Sequence, residues 1–178
     1  LNVKNGTIDL RTGELKPHDR NDYITKLVPI EYRPIPTPKW DAFLNRIMDG
    51  NQELIWFLQK AAGYSLTGLT NERCLFICYG TGANGKSVFL STLLKIAGEY
   101  AKQVPKELLI QRRYGNEHPT VIADLAGVRL AATIETDKDN IFAESQVKWL
   151  TGGDRITARF MRGDYFEFNP THKIWMAT

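Results

Sequence analysis

The sequence predicts an α/β fold built on a parallel sheet. Residues 74–79 form a continuous apolar run, and a glycine-rich turn and apolar residues at helical spacing over 86–97 follow it. Further apolar runs at 128–134 and 173–178 are typical of strands that are buried on both faces, as is the run at 74–79. A buried strand, a turn and an amphipathic helix in succession indicate a parallel sheet flanked by helices.

The N-terminal part has a different pattern. Residues 6–15 have the pattern of two short strands joined by a tight turn, and a proline-rich linker follows. Apolar residues then recur at helical spacing over 39–62, and their aromatic members are expected to be core residues rather than a ligand site. We therefore predict a small, mostly helical N-terminal domain at 1–70 and a sheet domain at 71–178.

Composition limits the possible functions. The chain has 178 residues, 43% of them hydrophobic, and a formal net charge of +3, which permits nucleic-acid binding without requiring it. No apolar run approaches the roughly 20 residues that span a bilayer, so we expect a cytoplasmic protein with no membrane partner. Cys74 and Cys78 are too far apart on one strand for a disulfide and are expected to be small buried residues.

Residues 80–87 match the phosphate-binding loop pattern G-x-x-x-x-G-K-[ST]. The glycines let backbone N–H groups surround an anion, and the following helix directs its positive end at the phosphates. Lys86 is expected to bridge the β- and γ-phosphates, and the hydroxyl of Ser87 to coordinate Mg²⁺. The predicted ligands are therefore ATP and Mg²⁺, held by Gly80, Thr81, Gly82, Ala83, Asn84, Gly85, Lys86 and Ser87.

Carboxylates follow the second apolar run. Glu135 comes directly after Ile134, and Asp137 lies two residues further on. The carboxyl ends of parallel strands collect ligands at one edge, so we expect this strand to neighbour the one before the phosphate loop. Glu135 is the predicted main catalytic carboxylate and a ligand of Mg²⁺ through water, and Asp137 supports it. An acidic turn without a catalytic role is the alternative.

Together these motifs resemble the superfamily 3 helicase domain of phage and plasmid primase–helicases, the P4-type primases and D5-like poxvirus proteins. The resemblance rests on residues 80–87, 135–137, 147–154 and 166–178. Residues 1–70, including 63–68, resemble the small domain that precedes the helicase in that family. It implies a P-loop NTPase core of the AAA+-like type. It also implies a homohexameric ring that translocates on single-stranded DNA while hydrolysing ATP between subunits, encoded by a phage, plasmid or prophage in a bacterial host.

The family also has a β-hairpin that reaches into the central channel, and residues 155–168 can form it. Two strand-like segments flank the turn 161–164, in which Gly163 is free to adopt a positive φ. Contact with a DNA phosphate needs only positive charge and reach. Arg162 near the tip, and secondarily Arg159, are therefore the predicted DNA contacts. A surface hairpin with an incidental arginine is the alternative.

Lys148 lies on a helix predicted at about 142–150 and matches the family motif between the acidic strand and the hairpin. The resemblance implies that it senses nucleotide or contacts DNA, and a solvated lysine is the alternative. In the family the final strand ends in an asparagine that orients the attacking water, and an arginine finger follows. The sequence stops at Thr178, where that asparagine would come next, so we expect a truncated fragment that binds nucleotide but is an incomplete motor.

The sequence is also compatible in part with two other functions. A P-loop small-molecule kinase explains the phosphate loop and Glu135, but it does not explain the hairpin or the preceding domain. A non-catalytic DNA-loading or oligomerisation module is consistent with the truncated end. A GTPase is disfavoured because the chain has no Asn/Thr-Lys-x-Asp motif. The basic segment 111–116 is either a loop near the ligands or an ordinary exposed loop.

Overall fold

The computed structural model describes residues 1–111, 119–134 and 141–178, and its centre is a four-stranded parallel sheet. The strands in these residues are β1 (Asn2–Val3), β2 (Gly6–Ile8), β3 (Leu15–Lys16), β4 (Leu75–Cys78), β5 (Ala101–Gln103), β6 (Leu130–Thr133), β7 (Ile156–Arg159), β8 (Tyr165–Phe168) and β9 (Lys173–Ala177). The α-helices are α1 (Pro38–Ile47), α2 (Gln52–Thr67), α3 (Lys86–Ala97), α4 (Pro119–Ala123) and α5 (Glu144–Thr151). The predicted α/β class is confirmed.

The parallel sheet has the strand order β4-β9-β6-β5 and a core on each face. Alternate residues of a strand point to opposite faces. On one face, Leu130 and Trp175 pack with buried residues of α1, α2 and α3. On the other face, Ala131, Ile174 and Met176 pack with buried residues of α4, α5 and β7. The two central strands, β6 and β9, therefore contribute to both cores.

Strand β4 is an edge strand, with β9 beside it and no other described strand on its far side. Its residues are only partly buried, and Ile77 is 45% exposed. The prediction that residues 74–79 are buried on both faces is therefore wrong, because an apolar run cannot show which strand becomes the edge. Cys74 and Cys78 are free and half-buried rather than fully buried, and burial raises the pKa of both thiols.

Helix α2 is longer than the sequence pattern predicted. It begins after Asn51, whose side-chain oxygen accepts a hydrogen bond from the backbone N–H of Leu54 at 3.1 Å. It ends at Thr67, and the capping residue Gly68 after it has a φ of +78°. A glycine in the left-handed conformation is a common helix stop, whereas Gly63 within the helix does not interrupt it. The apolar pattern in the sequence ended at Ala62, whereas the glycine that ends the helix, Gly68, lies six residues later.

A buried hydrogen bond joins α2 to the centre of the sheet. The indole Nε1 of Trp175 donates to Ser65 Oγ at 2.9 Å, and the Ser65 hydroxyl donates to the carbonyl of Ala61 at 2.8 Å. Trp175 and Ser65 are 1% and 0% exposed. Both polar groups are thus satisfied inside the core, where an unpaired donor or acceptor would be costly.

Two basic residues bind carbonyl groups at the C-terminal end of α2. Arg129, directly before β6, donates from Nη1 to Leu66 O at 2.7 Å. Lys173, the first residue of β9, donates from Nζ to Leu69 O at 2.8 Å. Cations favour the negative end of a helix dipole. Burial lowers the pKa of Lys173 to about 8, and the positive charge of Arg129 adds to this effect.

The predicted N-terminal hairpin is confirmed by the antiparallel pairing of Ile8 in β2 with Leu15 in β3. This small sheet packs against the segment that follows α3. Val3, Val28 and Tyr100 share one buried cluster, and the Tyr100 hydroxyl donates to Lys26 O at 3.0 Å. The N-terminal sheet is therefore anchored next to the C-terminal end of α3, the helix that follows the glycine-rich loop.

His172 lies in the core directly before β9. Its Nε2 is 3.1 Å from the carbonyl oxygen of Leu150, so Nε2 must carry the proton and donate. Its Nδ1 is buried and has no hydrogen-bond partner among the described residues. Burial lowers the pKa of His172 to about 4, because protonation would place a charge in the core.

We expect His172 to make the protein less stable in mild acid. Its folded-state pKa of about 4 lies below the ordinary value of 6.5, so the unfolded chain takes up a proton first as the pH falls. The free energy of unfolding should therefore decrease between pH 6.5 and pH 4, by about 3 kcal/mol at most, with no contribution from His172 above this window. Urea unfolding at pH 7 and pH 5 measures the decrease.

The variant His172→Gln should show a smaller loss of stability between these two pH values than the parent protein. His18→Gln provides the control, because it replaces a histidine that is exposed and lies outside the core. His18→Gln should keep the pH dependence of the parent. An unchanged pH dependence in His172→Gln would show that the buried imidazole is not responsible.

Candidate nucleotide-binding site

The glycine-rich loop connects the end of β4 to the start of α3 and has three residues with positive φ. Gly80 has a φ of +146° and Gly85 a φ of +86°, and Ala83 has a φ of +61°. The left-handed conformation costs a residue with a Cβ about 1–2 kcal/mol, so Ala83 holds local strain. Successive turns of this kind direct backbone N–H groups into one concave surface, which is a geometry that binds anions.

The side chain of Lys86 lies within the loop. Its Nζ donates to Gly80 O at 2.9 Å and to Asn84 Oδ1 at 2.9 Å, and Thr81 O is 3.5 Å away. An ammonium group has three donors and a flexible stem. Lys86 can therefore exchange one of these acceptors for a phosphate oxygen with a small movement of its side chain.

A cavity of about 770 Å³ lies against the loop and the first turn of α3. Its volume is within the range of about 300–1,000 Å³ that is usual for small-molecule sites. The described residues that line it are Phe43, Arg46, Ile47, Gly82, Ala83, Asn84, Gly85, Lys86, Ser87 and Val88. The charged residues among them are two cations, Arg46 and Lys86. This lining suits an anionic ligand, and the residues present fit a nucleotide with its Mg²⁺.

Helix α1 forms one wall of this cavity, which the sequence did not indicate. Phe43 was expected to be a core residue, and it does stack on Trp40 with ring centroids 5.2 Å apart. The same face of α1 also lines the cavity through Arg46 and Ile47. The helical pattern shows which residues share a face, but no local signal shows that this face packs against Gly85.

The predicted catalytic carboxylates Glu135 and Asp137 lie outside the described residues. Strand β6 ends at Thr133. Because all four strands are parallel, the carboxyl ends of β6 and β4 lie at the same end of the sheet. The expectation that these two strands are neighbours is wrong, because β9 lies between them. At about 4.8 Å per strand, their backbones are roughly 10 Å apart. Within the described residues no cluster of three or more His, Cys, Asp or Glu side chains could hold a metal ion.

The predicted hairpin is present, but its turn differs from the expectation. β7 and β8 pair antiparallel, with Arg159 opposite Tyr165. The positive φ, +60°, occurs at Arg162 and not at Gly163, whose N–H donates to Phe160 O at 3.0 Å. The prediction for Gly163 is therefore wrong. It was made because glycine adopts a positive φ more readily than other residues do.

The predicted DNA contacts are exposed but lie apart from the cavity beside the glycine-rich loop. Arg162 is at the hairpin tip, and the guanidinium of Arg159 lies 4.9 Å from the ring centroid of Tyr165. Lys148 forms an exposed ion pair with Glu144 at 3.7 Å and lines a separate cavity beside β4. The hairpin and α5 pack on the sheet face opposite α3. The structure therefore separates these three basic residues from the phosphate loop.

Comparison with known proteins supports one family. Residues 1–49 match the family model described as D5 N terminal like. The chain is 25% identical over 182 aligned residues to "Putative helicase L207/L206" of Acanthamoeba polyphaga mimivirus. It is 27% identical over 174 residues to "Putative helicase 022R" of Frog virus 3. The chain resembles the D5-like primase–helicases.

The structural comparison confirms the fold class. Two apo structures of the NrS-1 C-terminal region cover 84% of the chain with TM-scores of 0.59 and 0.60, at 11% and 10% identity. The fold is thus a P-loop NTPase-like parallel sheet flanked by helices. The chain spans 19% and 16% of the two putative helicases and 35% of each NrS-1 chain, so the likeness concerns one part of those proteins. No helix of the described residues is long and apolar enough to cross a membrane.

We expect the contact between α1 and the loop to depend on the glycine at position 85. A Cβ atom placed on Gly85 would lie 2.6 Å from Ile47 Cγ2 and 3.2 Å from Phe43 Cε2, and the φ of +86° is unfavourable for any other residue. Gly85→Ala should lower the free energy of unfolding by about 2–4 kcal/mol through backbone strain and overpacking.

Gly82→Ala is the matched control, because a Cβ at Gly82 meets no atom within 4 Å. Its φ is not among the positive values. This variant should keep the stability of the parent in chemical unfolding. Equal stabilities of the two variants would show that α1 does not press on the loop at Gly85.

Proposed function

We propose that this chain is the nucleotide-binding part of an ATP-driven helicase that acts on single-stranded DNA during replication. The observation that carries the proposal is the cavity in which Lys86, Ser87 and the N-terminal end of α3 meet. Loop N–H groups and the helix dipole would bind the phosphates, and Lys86 would bridge the β- and γ-phosphates. The resemblance to viral helicases supports the reaction class.

Mg²⁺ bound with the nucleotide would neutralise charge that develops on the phosphates during hydrolysis. In our proposal the Ser87 hydroxyl is its ligand from the loop, because Ser87 is exposed and lines the cavity next to Lys86. Glu135 would orient the attacking water and contact the metal through water, and Asp137 would support it. The position of β6 is compatible with this role, because its carboxyl end faces the same sheet edge as the loop.

The DNA contacts in this proposal are Arg162, Arg159 and, on α5, Lys148. All three are exposed, and their side chains supply the positive charge that phosphate contact requires. Their position on the sheet face opposite α3 would keep the DNA strand away from the nucleotide. Assembly into a homohexameric ring is proposed from the family alone.

The phosphate loop is tested with Lys86→Ala and a matched control on the same helix. Removing Lys86 should weaken Mg-ATP binding by about 10- to 100-fold, because hydrogen bonds to charged groups contribute roughly 1.5–3 kcal/mol. Lys95→Ala changes the charge equally at an exposed position in the last turn of α3 and should bind like the parent. Calorimetric titration measures both affinities.

In the complete protein, Lys86→Ala should also abolish ATP hydrolysis that single-stranded DNA stimulates. Equal ATP affinity in Lys86→Ala and Lys95→Ala would refute the nucleotide site. Turnover with a nucleoside acceptor and no effect of DNA would identify a small-molecule kinase instead. Binding of ATP with no hydrolysis in the complete protein would indicate a non-catalytic module.

The hairpin is tested in the complete protein with Arg162→Ala. The affinity for single-stranded DNA should fall several-fold at low salt, and the slope of log affinity against log salt should become shallower by about 0.7, as expected when one phosphate contact is lost. Arg20→Ala removes an exposed arginine from the N-terminal segment and should change neither quantity. Fluorescence anisotropy over a salt series measures both. Identical behaviour of the two variants would exclude Arg162 as a DNA contact.

A further inference from the structure

Arg46, the charged residue of α1 that lines the cavity, has no side-chain partner among the described residues. Arg46 is exposed, and its guanidinium makes no hydrogen bond or ion pair with any residue of 1–111, 119–134 or 141–178. The exposed Arg11, Arg33 and Arg155, by contrast, each pair with a carboxylate. No described residue therefore occupies the donors of Arg46, and a ligand in the cavity can accept hydrogen bonds from them.

The position of Arg46 is fixed by the apolar residues around it on α1. Leu44 is 1% exposed, and Trp40 stacks on Phe89 of α3 with ring centroids 5.9 Å apart. Ile47 lies against Gly85 at the start of α3. Because α1 is held against α3 on both sides of Arg46, the base of its side chain is fixed at the rim of the cavity.

We propose that Arg46 is a second cation of the nucleotide site and binds the phosphate chain that Lys86 also binds. The proposal rests on the nucleotide-binding function proposed above. The described lining of the cavity contains two cations from different elements and no carboxylate, which favours a ligand with several negative charges. A guanidinium can bind a phosphate through two parallel hydrogen bonds, which the ammonium of Lys86 cannot do.

This assignment makes the N-terminal segment part of the nucleotide site. The residues that match the D5 N terminal like family end at position 49 and include all of α1. Phe43 and Ile47 leave an apolar surface beside Arg46 for the base or sugar, while the charge acts on the phosphates. Binding of nucleotide would then hold α1 and the phosphate loop together.

The test compares Mg-ATP with inorganic triphosphate, which lacks base and sugar, as ligands of the parent chain and four variants. Arg46→Ala should weaken both ligands by about 10-fold or more, and Arg46→Lys should restore part of the loss. Lys39→Ala is the matched control, because Lys39 is an exposed cation of α1 that does not line the cavity. Lys86→Ala reports on the loop itself. Displacement of a fluorescent ATP analogue measures all affinities, and thermal unfolding without ligand should be unchanged in Arg46→Ala.

The outcomes separate this proposal from the one it rests on. If Lys86→Ala weakens binding and Arg46→Ala behaves like Lys39→Ala, the role of Arg46 is refuted and the nucleotide site stands. A loss confined to Mg-ATP, with inorganic triphosphate unaffected, would also refute the phosphate contact by placing Arg46 on the base or sugar. Unchanged affinity in both Lys86→Ala and Arg46→Ala would refute both proposals.

Discussion

The hydrogen bond between Trp175 and Ser65 is the interaction on which the arrangement of the structure depends. It joins the middle of the central strand β9 to the last turns of α2, inside a core that water does not reach. Leaving the indole N–H unpaired there would cost about 1–3 kcal/mol. The carbonyl bonds of Arg129 and Lys173 hold the end of the same helix at the start of β6 and β9. With α2 fixed in this way, the short connection to α1 leaves little freedom for that helix.

Helix α1 connects α2 to the cavity beside the glycine-rich loop and limits where the cavity wall can lie. Leu44 of α1 and Ile55 of α2 share one buried cluster with α3, and Ile47 reaches Gly85 at the start of the phosphate loop's helix. The loop could form its backbone concavity from its own sequence, but one wall of its cavity belongs to a helix almost 40 residues earlier. The sequence boundary that we predicted between residues 70 and 71 therefore crosses a shared core and a shared cavity.

A feature could be predicted from the sequence when residues close together in the chain determine it. The phosphate loop, its helix and both hairpins depend on neighbouring residues, and the sequence identified them. The strand order depends on which apolar run is buried deepest, and the runs of β4, β6 and β9 look alike in sequence. For this reason the edge position of β4 and the intervening β9 were missed. Arg46 was missed because no local signal in the sequence shows that α1 lines the cavity. The positive φ at Arg162 was missed because Gly163 offered the usual residue for that conformation.

The position of β9 also bears on how the proposed nucleotide site and the proposed DNA-binding hairpin could communicate. Trp175 faces α1, α2 and α3, whereas its neighbours Ile174 and Met176 face the core that holds β7. Closely packed cores transmit small displacements instead of absorbing them. Under the proposed function, a shift of α1 or α3 on binding nucleotide would press on Trp175, and the same strand would carry that shift to Ile156 and Ala158 of the hairpin strand β7. Under the proposed function, the buried central strand is the physical connection between ATP on one sheet face and DNA on the other.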